Sequence, residues 1–180
     1  MKDIQELGKA PMLVTADGRV ITESSAIITY LLKTYDTAGT FASEDWIRDE
    51  ILTSFTGATM GPLTSIELLL ELMAKITPWP LVYVTRAIRK GTQEKFSNAE
   101  FKKDLEYLEK ELGDNEWFNG KMLGRSDVML SWPMDIIAQR GWVDFEKKYP
   151  KIAAWRKRIE NREAWKRGLE KGNGYVLTSW

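Results

Sequence analysis

Two short stretches near the start of the chain hold the residues best suited to chemistry. In Gly8-Lys9-Ala10-Pro11, Pro11 removes a backbone donor just before an apolar run, which suits a strand start or a tight bend. The Ala10-Pro11 bond is a candidate for the cis form, which turns the Ala10 amide and carbonyl outward. In Glu23-Ser24, the pair falls where a strand should give way to a helix. Backbone N–H groups at a helix N-terminus, a serine hydroxyl and the helix dipole together attract a carboxylate. Glu23 beside them suits an ammonium group, so an α-amino acid end matches the pair. Taken alone, the same pair also reads as a helix cap with a solvated charge, because serine is a preferred N-cap anywhere.

The elements that must position these residues follow from periodicity. Met12-Leu13-Val14-Thr15 is an apolar β-type run, Asp17-Gly18 is a hairpin turn signal, and Arg19-Val20-Ile21-Thr22 returns as a second strand. From Ser24 to Tyr35, apolar residues at 27, 28, 31, 32 and 35 have helical spacing. Residues 1–36 therefore form a small strand–turn–strand–helix unit, with a short helix or turn before Gly8. Residues 43–180 read as all-helical. Ser43 is the expected N-cap of a long helix running towards Lys75, kinked at Gly61-Pro62. Pro80 suits the first turn of a second long helix, which Gly91 bends or interrupts. That helix ends in a core stripe of Phe101, Leu105, Leu108 and Leu112, with pairs such as Glu106 and Lys110 on its solvent side. Gly113 to Gly120 is a loop. Further helices follow near Gly124, after Pro150, and around Trp165 and Leu169.

Composition removes whole classes of function. The 180 residues contain no cysteine and no histidine, so thiolate nucleophiles, disulfides and histidine-based triads are excluded. Chemistry must use Tyr, Ser, Thr, carboxylates, Lys, Arg or backbone amides. Lysine and arginine number 26 and so do aspartate and glutamate, which argues against nucleic acid as a partner. The greasiest run, residues 66–73, is interrupted by Glu67 and Glu71 and is too short to span a bilayer. A soluble, cytoplasmic protein without a metal or prosthetic cofactor is expected.

Both stretches, in their order, resemble the glutathione S-transferase family. There, a Gly-Lys-X-Pro segment with a cis proline precedes the third strand and a Glu-Ser pair opens the third helix. The resemblance implies that the Ala10 backbone, beside Pro11, pairs with the cysteinyl part of glutathione and that Glu23 and Ser24 hold its γ-glutamyl end. Lys9 lies near the glycyl carboxylate or is simply exposed. Farther on, Asn119 to Pro133 resembles the segment that opens the family's sixth helix, where a Ser or Thr caps the helix and an Asp three residues later closes a capping box. Asp127 is present, but Gly124 stands at the cap, and Leu123 with Val128 fits a hydrophobic staple. Leu-Ser-Trp-Pro at 130–133, Tyr149-Pro150-Lys151 and residues 158–164 are similar to the fungal branch.

The implied fold is mainly α: a truncated thioredoxin-like α/β remnant, hairpin plus helix, followed by an all-helical glutathione S-transferase C-terminal domain. Family members carry a further strand–helix–strand, about 30 residues, before the segment that begins here. That unit supplies the Tyr, Ser or Cys acting on the thiol, so no catalytic residue is assigned. An incomplete sequence, an inactive relative, or an activating group elsewhere (Tyr30, Tyr83, Thr56 or Ser54) would each account for this; all four residues also read simply as packing or surface positions. An unpaired Met12–Thr15 edge needs a cover. The acceptor pocket implied by the resemblance lies between the two parts, with Phe55, Thr56, Met60 and Tyr83 as its lining or as core. The expected function is conjugation of glutathione to a hydrophobic electrophile, in detoxification or secondary metabolism, by a homodimer formed through the third and fourth helices. The alternatives are a non-catalytic interaction or scaffold module and a helical ligand carrier.

Overall fold

A computed structural model describes residues 8–172 and 174–178; the short element expected before Gly8 lies outside them. Strand β1 (Met12–Val14) pairs antiparallel with β2 (Val20–Thr22), setting Met12 opposite Thr22 and Val14 opposite Val20. The turn closes with Thr15 N–H donating to the Arg19 carbonyl and Gly18 N–H to the Thr15 carbonyl, both at 2.9 Å. Gly18 sits at φ +83°, where a side chain would be strained. The Ala10-Pro11 peptide is cis, as is Trp79-Pro80. Helix α1 (Ser24–Tyr35) follows and has no fully buried residue.

The long helix expected from Ser43 begins at Trp46. Its N-cap is Asp45, whose carboxylate accepts from Arg48 N–H at 3.0 Å, while the Ser43 hydroxyl donates to the Asp45 carbonyl. A carboxylate at the cap also complements the helix dipole, and it displaces the serine by two positions. Helix α2 (Trp46–Phe55) runs through a π-helical segment (Thr56–Met60) into α3 (Gly61–Ile76). The expected break is thus a widened turn just ahead of Gly61-Pro62. Pro62 has no N–H for the Ala58 carbonyl, and the π turn takes up the mismatch. A second π segment, Gln93–Ser97, joins α4 (Val82–Thr92) to α5 (Asn98–Leu112), so the interruption falls just after Gly91. Pro80 lies before α4 and not in its first turn, because Leu81 is the N-cap.

Helices α6 (Arg125–Gln139), α7 (Phe145–Lys148), α8 (Pro150–Glu160) and α9 (Glu163–Lys171) are the remaining helices among the described residues. The α5 stripe is buried as its spacing requires, with Leu105, Leu108 and Leu112 fully enclosed and Phe101 nearly so. They pack with Leu52, Leu130, Met134, Ile137, Ile152 and Trp155. On the outer face of α5 the ion pairs are Lys102–Glu106 and Lys103–Glu100, in place of the expected Glu106–Lys110.

Asp127 organises the centre. It is fully buried, and its carboxylate accepts from Phe118 N–H (2.7 Å), Gly124 N–H (2.9 Å), Asn119 N–H (3.2 Å) and Trp155 Nε1–H (2.8 Å). Four donors satisfy its lone pairs and join the α5–α6 loop, α6 and α8 at one point. Only the Asp127 half of the capping box exists, since Gly124 offers no side chain. That glycine has a local reason: a Cβ there would lie 2.4 Å from Asn119 Cγ. Burial pushes the Asp127 carboxyl above its ordinary value, and the backbone and indole hydrogen bonds oppose the shift.

Candidate functional site

The hairpin and α1 meet the helical part across a cavity of about 790 Å³, within the range of small-ligand sites. One wall is Ala10, Pro11, Glu23 and Ser24. Ala10 and Pro11 immediately precede β1, and Glu23 and Ser24 fall where β2 gives way directly to α1. The N–H groups of Ser24, Ser25 and Ala26 lie in the first turn, where a helix offers them no acceptor. Glu23 precedes them at φ +69° with no capping bond from its side chain. A non-glycine residue in that region costs about 1–3 kcal/mol, so the geometry leaves the carboxylate exposed and untied at the cavity edge at an energetic penalty.

The opposite wall comes from α2, its π segment and α6. Thr53, Ser54, Thr56 and Gly57 contribute from the first pair, and Val128, Met129 and Trp132 from α6. The Thr56 hydroxyl donates to the Leu52 carbonyl at 2.8 Å and the Ser54 hydroxyl to Glu50 at 3.3 Å. Pro133 sits within α6 and has no N–H to give the Met129 carbonyl four residues back. Val128 and Trp132, 40% and 45% exposed, give this wall its apolar character.

Sequence-assigned residues divide clearly. Ala10, Pro11, Glu23, Ser24 and Thr56 line the cavity, and Lys9 is exposed next to Ala10. Phe55 instead packs on Tyr107, ring centroids 5.2 Å apart. Met60 is enclosed in the helical core, and Tyr83 is 62% exposed on α4. None of these three is among the lining residues, nor is Tyr30. The reason is rotation: the π segment turns Met60 inward while leaving Thr56 and Gly57 on the cavity side. Val128, expected in a hydrophobic staple with Leu123, and Trp132, given no pocket role by the sequence, line the cavity instead, and a signal for this existed. They are four apart on α6, offset from the buried stripe of Leu130, Met134 and Ile137, and so had to face something else.

A polar clamp holds the two walls together. Arg125, at the start of α6, donates from Nε to Asp49 at 2.8 Å, from Nη2 to Glu50 at 2.6 Å, and from Nη1 to the Thr29 hydroxyl of α1 at 3.0 Å. Ser126 N–H adds a bond to Asp49 at 3.0 Å. The Arg125 hydrogen bond and charge hold the Glu50 carboxyl below its ordinary value. Since α1 contributes no fully buried side chain, this clamp is the chief polar tie between the Ser24-bearing helix and the helical part. Among the described residues no cluster of His, Cys, Asp or Glu could hold a metal, and no helix is long and apolar enough to cross a membrane.

Comparison with known proteins places this geometry in a family. Residues 71–171 match the profile of the glutathione S-transferase C-terminal domain, and residues 1–39 that of the glutathione S-transferase N-terminal domain. The chain is 28% identical over 178 residues to glutathione S-transferase 3 of Schizosaccharomyces pombe, covering 97% of this chain and 72% of that protein. It is also 28% identical over 182 residues to glutathione S-transferase 1 of Saccharomyces cerevisiae, with coverage of 95% and 77%. A solved glutathione S-transferase from Actinobacillus pleuropneumoniae superposes with a TM-score of 0.68 at 27% identity, covering 99% of this chain and 76% of that one. Family members use glutathione as a co-substrate and no metal or prosthetic cofactor. The chain is therefore a member of the glutathione S-transferase superfamily.

Proposed function

We propose that the cavity binds glutathione and that the chain's function is conjugation of glutathione to a hydrophobic electrophile, in detoxification or secondary metabolism. The observation that carries this reading is the convergence of Ala10, Pro11, Glu23 and Ser24 on one wall, opposite an apolar wall from α6. In this reading the Ala10 backbone pairs with the cysteinyl unit and Pro11 holds the bend. The α1 N-terminus and Ser24 hydroxyl bind the γ-glutamyl carboxylate, Glu23 its ammonium, and Lys9 lies towards the glycyl carboxylate. The electrophile rests against Thr56, Val128, Met129 and Trp132. Lowering a thiol pKa by two units takes ~2.7 kcal/mol of preferential thiolate stabilisation. The α1 terminus is engaged at the other end of the tripeptide, so none of the described residues is assigned that task.

Assembly is the second part of the reading. Leu69, Met73 and Ile76 of α3 and Val84 and Ile88 of α4 are all more than two-fifths exposed, an apolar face of the kind that marks interaction sites. In the family's count the third helix is α1 and the fourth runs through α2 and α3. We place the homodimer contact on α3 and α4, where these exposed apolar side chains lie, and the protein in the cytoplasm, where a cysteine-free chain has no need of an oxidising compartment. The test is calorimetric titration of glutathione into the chain as written. Binding with a Kd of millimolar or tighter is expected, weakened at least about five-fold in S24A and in E23Q. A folded protein that takes up no glutathione would leave the scaffold function in its place.

A further inference from the structure

The turn joining α3 to α4 presents large apolar side chains to solvent. Helix α4 packs chiefly on α3 and on the π segment that follows it, and it has no fully buried residue. At the turn Trp79 is 78% exposed, and Leu81 and Tyr83 are also more than half exposed. Charge along the same hairpin is one-sided. Residues 72–93 carry four basic side chains, Lys75, Arg86, Arg89 and Lys90, and no acidic one, in a chain of zero net charge.

The fold gathers all four cations along one groove of about 460 Å³ between α3 and α4. The groove's single acid, Glu71, is already held by two arginines, Arg89 at 2.9 Å and Arg140. Lys90 meets Glu94 at 3.8 Å, but both side chains are well exposed, and such a pair is weak in water. Arg86 is exposed and makes no ion pair among the described residues. An aromatic and aliphatic tip beside a cluster of cations is the composition that settles at a membrane–water interface. The spacing fits as well. With α4 upright on the surface, Arg86 stands five residues from Leu81, ~7.5 Å along the helix, roughly the depth of a lipid headgroup layer. Lys90 lies ~6 Å farther, still within a screening length of about 8 Å.

We infer that the α3–α4 turn is a peripheral docking site for an anionic phospholipid surface. Trp79, Leu81 and Tyr83 enter the interface, and Lys75, Arg86, Arg89 and Lys90 face the lipid phosphates. No helix among the described residues is long and apolar enough to cross a membrane, so the contact rests on the surface. Anionic lipid concentrates on the cytoplasmic leaflet, which faces the compartment assigned above. The turn and its groove share no residue with the glutathione cavity, so the inference stands whether or not that cavity binds glutathione.

The test is co-sedimentation of the full chain with phosphatidylcholine vesicles, with and without about 30 mol% phosphatidylserine, at about 0.1 M salt. Binding to the anionic vesicles is expected, at least about ten-fold tighter than to phosphatidylcholine alone, and falling as salt rises. One basic residue near such a surface contributes roughly five-fold in affinity, so R86E/K90E should lose at least about ten-fold. W79A/L81A should lose about as much, with circular dichroism and thermal midpoints of both variants near those of the parent. Should R86E/K90E fail to fold, R86Q/K90Q supplies the same reading at a loss of at least about three-fold. A folded parent that stays in the supernatant, or one that binds both vesicles equally, overturns the inference. So does an affinity indifferent to the Arg86 and Lys90 changes. Binding unchanged in W79A/L81A would make the groove a general polyanion site instead. A parent dimer that W79A/L81A turns monomeric would give the turn to a second copy.

Discussion

Installing serine at Gly124 creates the side-chain cap that the family's sixth helix ordinarily carries, and in most helices this exchange shifts stability by only a few tenths of a kcal/mol. Here the neighbouring Asn119 changes the outcome. A Cβ on residue 124 would fall 2.4 Å from Asn119 Cγ, 2.6 Å from its Nδ2 and 2.7 Å from its Cβ. Asn119 cannot simply withdraw, because its N–H is bound to Asp127 at 3.2 Å and its Nδ2 to the Ala42 carbonyl at 3.3 Å. Overpacking of this kind costs about 1–3 kcal/mol, so G124S is expected to destabilise by about 1–2 kcal/mol after the cap's small gain. N119A alone loses one modest hydrogen bond, about 1 kcal/mol, and removes an Oδ1 that is buried without a partner. N119A/G124S removes the Cγ and Nδ2 contacts and leaves the one to the residue 119 Cβ at 2.7 Å, which a freed backbone must relieve. The pair should therefore recover about 1 kcal/mol relative to the sum of the single changes. Urea unfolding followed by circular dichroism reads this directly, because a slope of about 1–3 kcal/mol/M turns it into a midpoint shift near 0.5 M. G124S as stable as the parent, or a cycle additive within about 0.5 kcal/mol, would refute the idea that Asn119 occupies the capping space.

The Arg125 clamp gives a second test. R125A strands the largely buried Asp49 and should cost about 2–3 kcal/mol, lowering the thermal midpoint by about 4–12 °C and weakening glutathione binding through α1. Its pH dependence has a definite sign. Glu50 has a folded pKa below the 4.5 of an unperturbed glutamate, so its contribution is present above that value and is lost as pH falls through the lower folded one. The gap between parent and R125A should therefore narrow below about pH 4.5, and a constant gap down to pH 3.5 contradicts the assignment. For assembly, the parent should sediment as a dimer at 20 µM, roughly the range of a specific interface, and L69E/V84E as a monomer; a monomeric parent removes the α3–α4 interface.

Local pattern was enough for much of this protein. The Asp17-Gly18 hairpin, the helical run from Ser24 and the α5 stripe at 101, 105, 108 and 112 were all legible, because turn chemistry and side-chain periodicity act over a few neighbours. So was the wall formed by Ala10, Pro11, Glu23 and Ser24, whose members are close in sequence. The choice of Asp45 over Ser43 as a cap and the position of the π turns were not legible, since competing residues two or three apart have similar local energies and packing selects among them. Phe55, Met60 and Tyr83 show the limit most clearly. They are apolar and well spaced, yet their destinations depend on how a π segment rotates one helix against the rest. Val128, Trp132 and the Arg125 clamp depend on which face of α6 meets α2 and α1, some 75 to 100 residues away in the chain. Composition and short spacing determine which elements form and which residues can do chemistry; only packing between distant segments decides which of them share a cavity, because that energy is carried by contacts between residues far apart in sequence.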